Sequence, residues 1–109
     1  MIARTWHGWT MPAQADIYEA LLKNEIFPSI LAKRIPGFLR IELFRRELNR
    51  QTEFMTVMWF ASQAAVTAFV GEDHSEAYVP ASARQVLARF DAHAVHYEVR
   101  DGWDVTSPE

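Results

Sequence analysis

The chain has no cysteine. That excludes disulfides, thiolate metal sites, iron–sulfur clusters and cysteine nucleophiles. It has no surplus of positive charge either: Lys+Arg 11 against Asp+Glu 14 gives a net charge of −3, and a nucleic-acid footprint is normally strongly basic. No apolar run approaches the roughly 20 residues of a membrane span, and Met-Ile-Ala-Arg-Thr-Trp does not read as a secretory signal. The expectation is a cytoplasmic domain that binds neither membrane nor nucleic acid. Glycine is scarce, and the four present, at 8, 37, 71 and 102, stand singly. No phosphate-cradling loop is possible, and no serine sits on a nucleophile elbow, so nucleotide-binding and hydrolase readings drop out.

What remains is 109 residues, 50% hydrophobic, with seven Phe, four Trp and three Tyr. That length suits one domain over 1–109, with a core that needs no staples and a tail from 101 to 109. The aromatic supply is generous for a core of that size.

Residues Ile2 to Trp9 read as a strand, and Pro12 suits the first turn of a helix. Ile17, Leu21, Leu22, Ile26, Ile30 and Leu31 recur at three- and four-residue spacings, which predicts an amphipathic helix to about Ile35. Pro28 predicts a kink or short break in it. Phe38 to Arg46 and Glu53 to Phe60 alternate as a hairpin. Ser62 caps a helix through Val70, with Gly71 at its C-terminal positive-φ position. Ser82 is read as the cap of a short helix through Ala88, and Ala92 to Arg100 as the last strand. The order β-α-β-β-α-(α)-β is the α+β, ferredoxin-like split βαβ plan, a four-stranded antiparallel sheet with helices on one face.

Placing Leu39, Ile41 and Leu43 toward the helices puts Thr5, His7, Trp59 and Tyr97 on that same side. The opposite side then carries Trp6, Phe38, Phe44, Phe54 and Phe60, with Arg4, Arg40, Glu42 and Glu98 among them. A sheet face that apolar predicts a homodimer with two sheets stacked and the mixed charges paired between them. RNA is the rival occupant, but the basic-Gly-aromatic-Gly-Phe run it requires is absent from Glu53–Phe60.

Several segments carry a resemblance: Arg4-Thr-Trp6-His-Gly8, Ile35-Pro36-Gly37-Phe38, Glu53-Phe54, Ala68-Phe69-Val-Gly71-Glu72-Asp73, Tyr78-Val-Pro80, Phe90-Asp91 and His96-Tyr97-Glu98-Val99. Together they resemble the antibiotic biosynthesis monooxygenase family over residues 1 to about 100. One departure is visible, since the family often has Trp-acidic-Ser where this chain reads Trp59-Phe60-Ala61-Ser62. The resemblance implies a dimeric α/β barrel. It also implies oxygenase chemistry on phenolic or quinol-like molecules without metal or flavin, or haem degradation in some members.

A cofactor-free oxygenase needs a base to ionise its electron-rich substrate, and His7 is the candidate. The competing reading is a hydrogen-bonded strand-end histidine. Thr5, Trp59, Phe69, Tyr78 and Tyr97 are the candidate substrate-binding residues for a small aromatic molecule, although core packing is the readier account of the rings. His93 and His96 lie three apart on a strand and point to opposite faces, so no metal site is expected. His74 reads as a solvated loop residue. Haem-degrading relatives use an Asn on the first strand, a Trp on the second helix and a His shortly after it. Here the helix position is Phe69, and Tyr78 stands near the histidine position as the possible haem ligand. Three functions follow: a cofactor-independent monooxygenase, a non-catalytic dimeric binding module, and a haem-binding or haem-degrading protein.

Overall fold

In the computed structural model, which describes residues 1–73 and 75–105, β1 (Ile2–Thr10) forms the middle of one antiparallel sheet. On one side it pairs with β3 (Thr52–Phe60), and β3 pairs with β2 (Phe38–Glu47). Its other edge is shared by β4 (Arg89–Phe90), opposite Gly8 and Trp9, and β5 (Val95–Glu98), opposite Ile2 to Thr5. The expected α+β architecture is present, but the last strand expected over Ala92 to Arg100 is only Val95–Glu98, and β4 is a further short strand ahead of it. Between them the chain leaves β1 to pair with the preceding loop: Ala77 N–H donates to Ala92 O and Ala94 N–H to Ser75 O.

The first helical segment contains no break at Pro28. A short 3₁₀ turn (Pro12–Gln14) leads into α1 (Ala15–Leu21), a π-helical stretch (Leu22–Ile26), and α2 (Phe27–Ala32). Proline lacks the N–H for an α-helical bond and crowds the carbonyl four residues back. The wide turn accommodates both, and Phe27 N–H bonds Leu22 O instead. Ser62 caps α3 (Gln63–Val70) by accepting from Ala65 N–H at 3.3 Å, and Gly71 follows at φ +87°. The last helix, α4, is only Ala81–Arg84, and its N-cap is Pro80 rather than Ser82. Pro80 O accepts from both Ala83 and Arg84 N–H, so the turn is already closed before Ser82 could cap it.

The sheet faces differ from the sequence reading. A bulge between Phe38 and Arg40 leaves Leu39 unpaired, so Phe38 and Ile41 share a face despite their three-residue spacing. The strand register then places Trp6, Phe38, Phe54 and Phe60 toward the helices, and of the five expected interface aromatics Phe44 alone points outward. Phe54 and Phe60 are fully buried, packed with Tyr18, Leu22, Ile26, Ile30, Val66 and Phe69. The outer face carries Thr5, His7, Trp59 and Tyr97, the residues expected beneath the helices. Gly37, at φ +85°, lets β2 start under α3; a Cβ there would lie 2.8 Å from the Ala65 methyl. Among the described residues no helix is long and apolar enough to cross a membrane.

Candidate functional site

A cleft lies between the sheet and the helices. The first helical segment roofs it with Leu22, Ile26, Phe27 and Ile30. Arg4, Trp6, Ile41, Thr56 and Met58 form its floor, and Phe69, Tyr78, Val79 and Ala83 close its side. It measures about 540 Å³ counting its open mouth. Arg4 is the one charged residue among the described lining residues.

Arg4 is 4% exposed. One guanidinium nitrogen donates to His96 Nε2 at 2.8 Å, and another donates to Glu76 O at 2.7 Å. Its Cζ stands 5.9 Å from the Phe69 ring centroid. Burial pushes its pKa down to about 10, because the cation is poorly solvated there. Trp6 is fixed by an indole bond to Asp91 O of 2.7 Å. At the mouth, Tyr78 packs against Phe69 with centroids 5.3 Å apart, and Lys33 Nζ sits 4.6 Å above the Tyr78 ring. On the roof side, burial raises the Tyr18 phenol, so it stays protonated. The arrangement is a largely apolar slot with aromatic walls and a cation on its floor, a setting that favours the ionised form of an acidic group placed beside it.

The six residues expected to share one pocket fall into two groups. Phe69 and Tyr78 line the cleft. His7, Thr5, Trp59 and Tyr97 are on the far side of the sheet. There His7 lies between two carboxylates, with Nε2 3.7 Å from Glu53 and Nδ1 3.4 Å from Asp91, and it stacks on Trp9. Thr5 donates to Val95 O at 3.3 Å, and Trp59 Nε1 donates to Glu42 at 2.8 Å. Tyr97 is 58% exposed.

His93 lies before β5, not on it, and approaches Ser75, while His96 turns to Arg4. Among the described residues no group of three His, Asp or Glu is placed to hold a metal. His74 lies outside the described residues. Arg4 is the cleft-lining cation that sequence reasoning missed, having been assigned to ion pairs between sheets. The signal was its phase: it alternates with Trp6, on the face shared with Phe54, Met58 and Phe60.

Haem does not fit this site. No histidine lines the cleft among the described residues, and the Tyr78 ring is engaged by Phe69 and Lys33.

The sequence profile of the antibiotic biosynthesis monooxygenase family matches residues 8–81. No curated protein matches the chain. Among solved structures, a Bacillus cereus protein described as a candidate member of that family superimposes with TM-score 0.69 at 12% identity, covering 98% of each chain. A mutant form of SnoaB, a cofactor-independent oxygenase from Streptomyces nogalater, gives 0.58 at 15% identity, over 93% of this chain and 95% of that one. The haem degrader MhuD from Mycobacterium tuberculosis gives 0.56 at 19% identity, over 97% and 100%. At these identities the likeness is one of fold.

Proposed function

The chain belongs to the antibiotic biosynthesis monooxygenase family, and from that premise we propose that it is a cofactor-independent monooxygenase acting on a small phenolic or quinol-like molecule. The observation that carries this reading is the cleft: Trp6, Phe69 and Tyr78 wall a slot whose only charged lining residue, among those described, is the buried Arg4. A phenol held with its oxygen toward Arg4 loses its proton more readily, since a nearby cation favours the anion. The phenolate is the electron-rich species that passes an electron to oxygen. In the net reaction one oxygen atom enters the ring as a carbonyl. The other leaves as water, carrying the phenolic hydrogen and the hydrogen of the oxidised carbon, and the product is a quinone.

The outer sheet face is assigned to a second copy of the chain rather than to the substrate. Phe44, Val95 and Tyr97 are each roughly half exposed there, beside His7, Trp59 and Met55. Stacking two such faces covers apolar area that a monomer leaves in water.

Oxygen uptake with hydroquinone tests the enzymatic reading. Uptake above background, lost in Phe69→Ala and in Arg4→Met while both variants stay folded, is the expected result. Uptake at background with hydroquinone and with larger fused-ring phenols, alongside retained binding of the same compounds, would turn the reading toward a non-catalytic binding protein using the same cleft.

A further inference from the structure

Tyr18 lines the cleft and is 1% exposed, yet its hydroxyl makes no hydrogen bond with any described residue. Burial keeps the phenol protonated, so it is a donor in want of an acceptor. Buried donors are nearly always paired, with protein, water or ligand. Thr10 Oγ1 is the described buried side-chain atom that lacks both partner and access. The Tyr18 oxygen lacks only the partner, and the space that Tyr18 lines is the cleft. The other hydroxyl-bearing lining residues are open to water, Thr56 being half-buried and Tyr78 39% exposed. We propose that Tyr18 is a ligand-binding residue whose hydroxyl donates to the ligand, so that the cleft selects phenols carrying a second oxygen on the far side of the ring. This rests on the cleft being the substrate site and deepens that reading by naming the substrate class. It asks no further hydrogen bond of Arg4, whose guanidinium is bonded to His96 and Glu76 O, and it leaves the ionised oxygen beside that cation.

The layout of the roof supports it. Tyr18, Leu22, Ile26 and Ile30 follow at four-residue steps and form one stripe along the cleft, about 18 Å from end to end. Lys33, about one turn beyond Ile30, stands over the Tyr78 and Phe69 rings, which places the mouth at the Ile30 end. Tyr18 is at the other end, in an edge-to-face contact with the fully buried Phe54, their centroids 4.9 Å apart. That contact fixes the Tyr18 ring before any ligand arrives, so little side-chain freedom is left to lose on binding. The oxygen of a hydroxyl, carbonyl or ether at the inner end of the ligand accepts from Tyr18. A hydrogen or an alkyl group there leaves the donor unpaired, and a site with an unpaired donor discriminates against such an analogue.

The test pairs 4-methoxyphenol with 4-ethylphenol, which match in shape, charge and phenol acidity and differ by one acceptor oxygen. Binding of each to the whole protein is measured by calorimetry for the wild type and for Tyr18→Phe. The readout is the ratio of the two dissociation constants, because the ethyl compound is the more apolar and only the change in ratio reports on the hydroxyl. In Tyr18→Phe the ratio is expected to move about five-fold against the methoxy compound, as for the loss of one neutral hydrogen bond. The thermal midpoint of that variant should hold or rise, since the packing on Phe54 is kept and no bond within the protein is lost. A crystal structure of the wild-type complex should place the ether oxygen within hydrogen-bond distance of the Tyr18 hydroxyl. A ratio that Tyr18→Phe leaves unchanged, or that Thr56→Val shifts in its place, overturns the role of Tyr18 while leaving the cleft as the ring site. A clear fall in the midpoint of Tyr18→Phe does the same, because it marks a bond within the protein. No binding of either compound to the wild type, or binding elsewhere in the crystal, overturns the cleft as the substrate site and the role of Tyr18 with it.

Discussion

Arg4 and His96 face each other in register across β1 and β5, and the guanidinium of one is bonded to the imidazole of the other at 2.8 Å. Arginine has no acceptor, so His96 Nε2 must be the acceptor and its proton sits on Nδ1. Replacing His96 with Leu leaves a buried donor facing an apolar group, which is expected to cost about 1–3 kcal/mol. His96→Gln keeps an acceptor within reach and should cost less. Urea unfolding checks this: a midpoint falling in the order wild type, Gln, Leu with an unchanged slope is the expected pattern. Equal midpoints for the two variants would mean that the acceptor is not what matters.

Thr10 and Thr52 are opposite one another at the far end of β1, and both are fully buried. The Thr52 hydroxyl donates to Glu47 at 2.7 Å, whereas the Thr10 hydroxyl has no hydrogen-bond partner among the described residues. The isosteric change Thr10→Val removes a polar atom that is buried without compensation, so stability should hold or rise. Thr52→Val removes a bond to a carboxylate and should lower stability by about 1 kcal/mol or more. Thermal unfolding of the two variants should therefore move in opposite directions, or at least differ clearly.

Glu42 accepts hydrogen bonds from Arg40 and from the Trp59 indole, and these hold its carboxyl below its usual value of 4.5. A carboxylate whose folded pKa is depressed contributes stability that is fully present above the unfolded pKa and is lost as pH falls through the folded one. Glu47 behaves the same way through Thr52 and Arg45. Unfolding measured between pH 6 and about pH 3 should show stability falling on acidification below 4.5. In Glu42→Gln that fall should be shallower, and a slope identical to wild type would count against the assignment.

Phe44 projects from the outer sheet face and Phe54 from the helix side. If two copies stack through the outer face, Phe44→Glu should convert a dimer into a folded monomer in light scattering, with the circular dichroism unchanged. Phe54→Ala leaves a core void instead and should cost about 3–5 kcal/mol in stability without touching the interface. A wild-type monomer at high protein concentration would refute the stacking.

Much of the fold was legible because its signals are local. The spacing of Ile17 to Ile30, the alternation in the hairpin, Ser62 as a cap and Gly71 at positive φ each depend on a few adjacent residues. The faces of the sheet depend on phase, and one unpaired residue, Leu39, changes it. Arg4 added to the difficulty: an arginine alternating with Trp6 makes the buried face look like the wet one, and Ala3, Thr5 and His7 look like the interior. The dimer expectation was drawn from the wrong set of rings for that reason, although the outer face exposes others, Phe44 and Tyr97. Phe69 and Tyr78 were found because a helix and its following loop carry them, independent of strand phase. The guanidinium on the cleft floor was not, because only long-range pairing between β1 and β5 brings its partners to it.

The π-helical turn before Pro28 has a consequence for how the roof over the cleft is phased. A π turn spends about one residue more than an α turn, so everything from Phe27 to Lys33 is rotated by about 100° from where an unbroken helix would put it. Ile30 and Lys33 meet the slot in that rotated setting. Removing a single residue between Leu22 and Ile26 would wind the segment back and swing both away, while leaving the sheet as it stands. The shape of the ligand space is thus held by one surplus residue, and a one-residue change in length is a coarser control on it than any side-chain substitution.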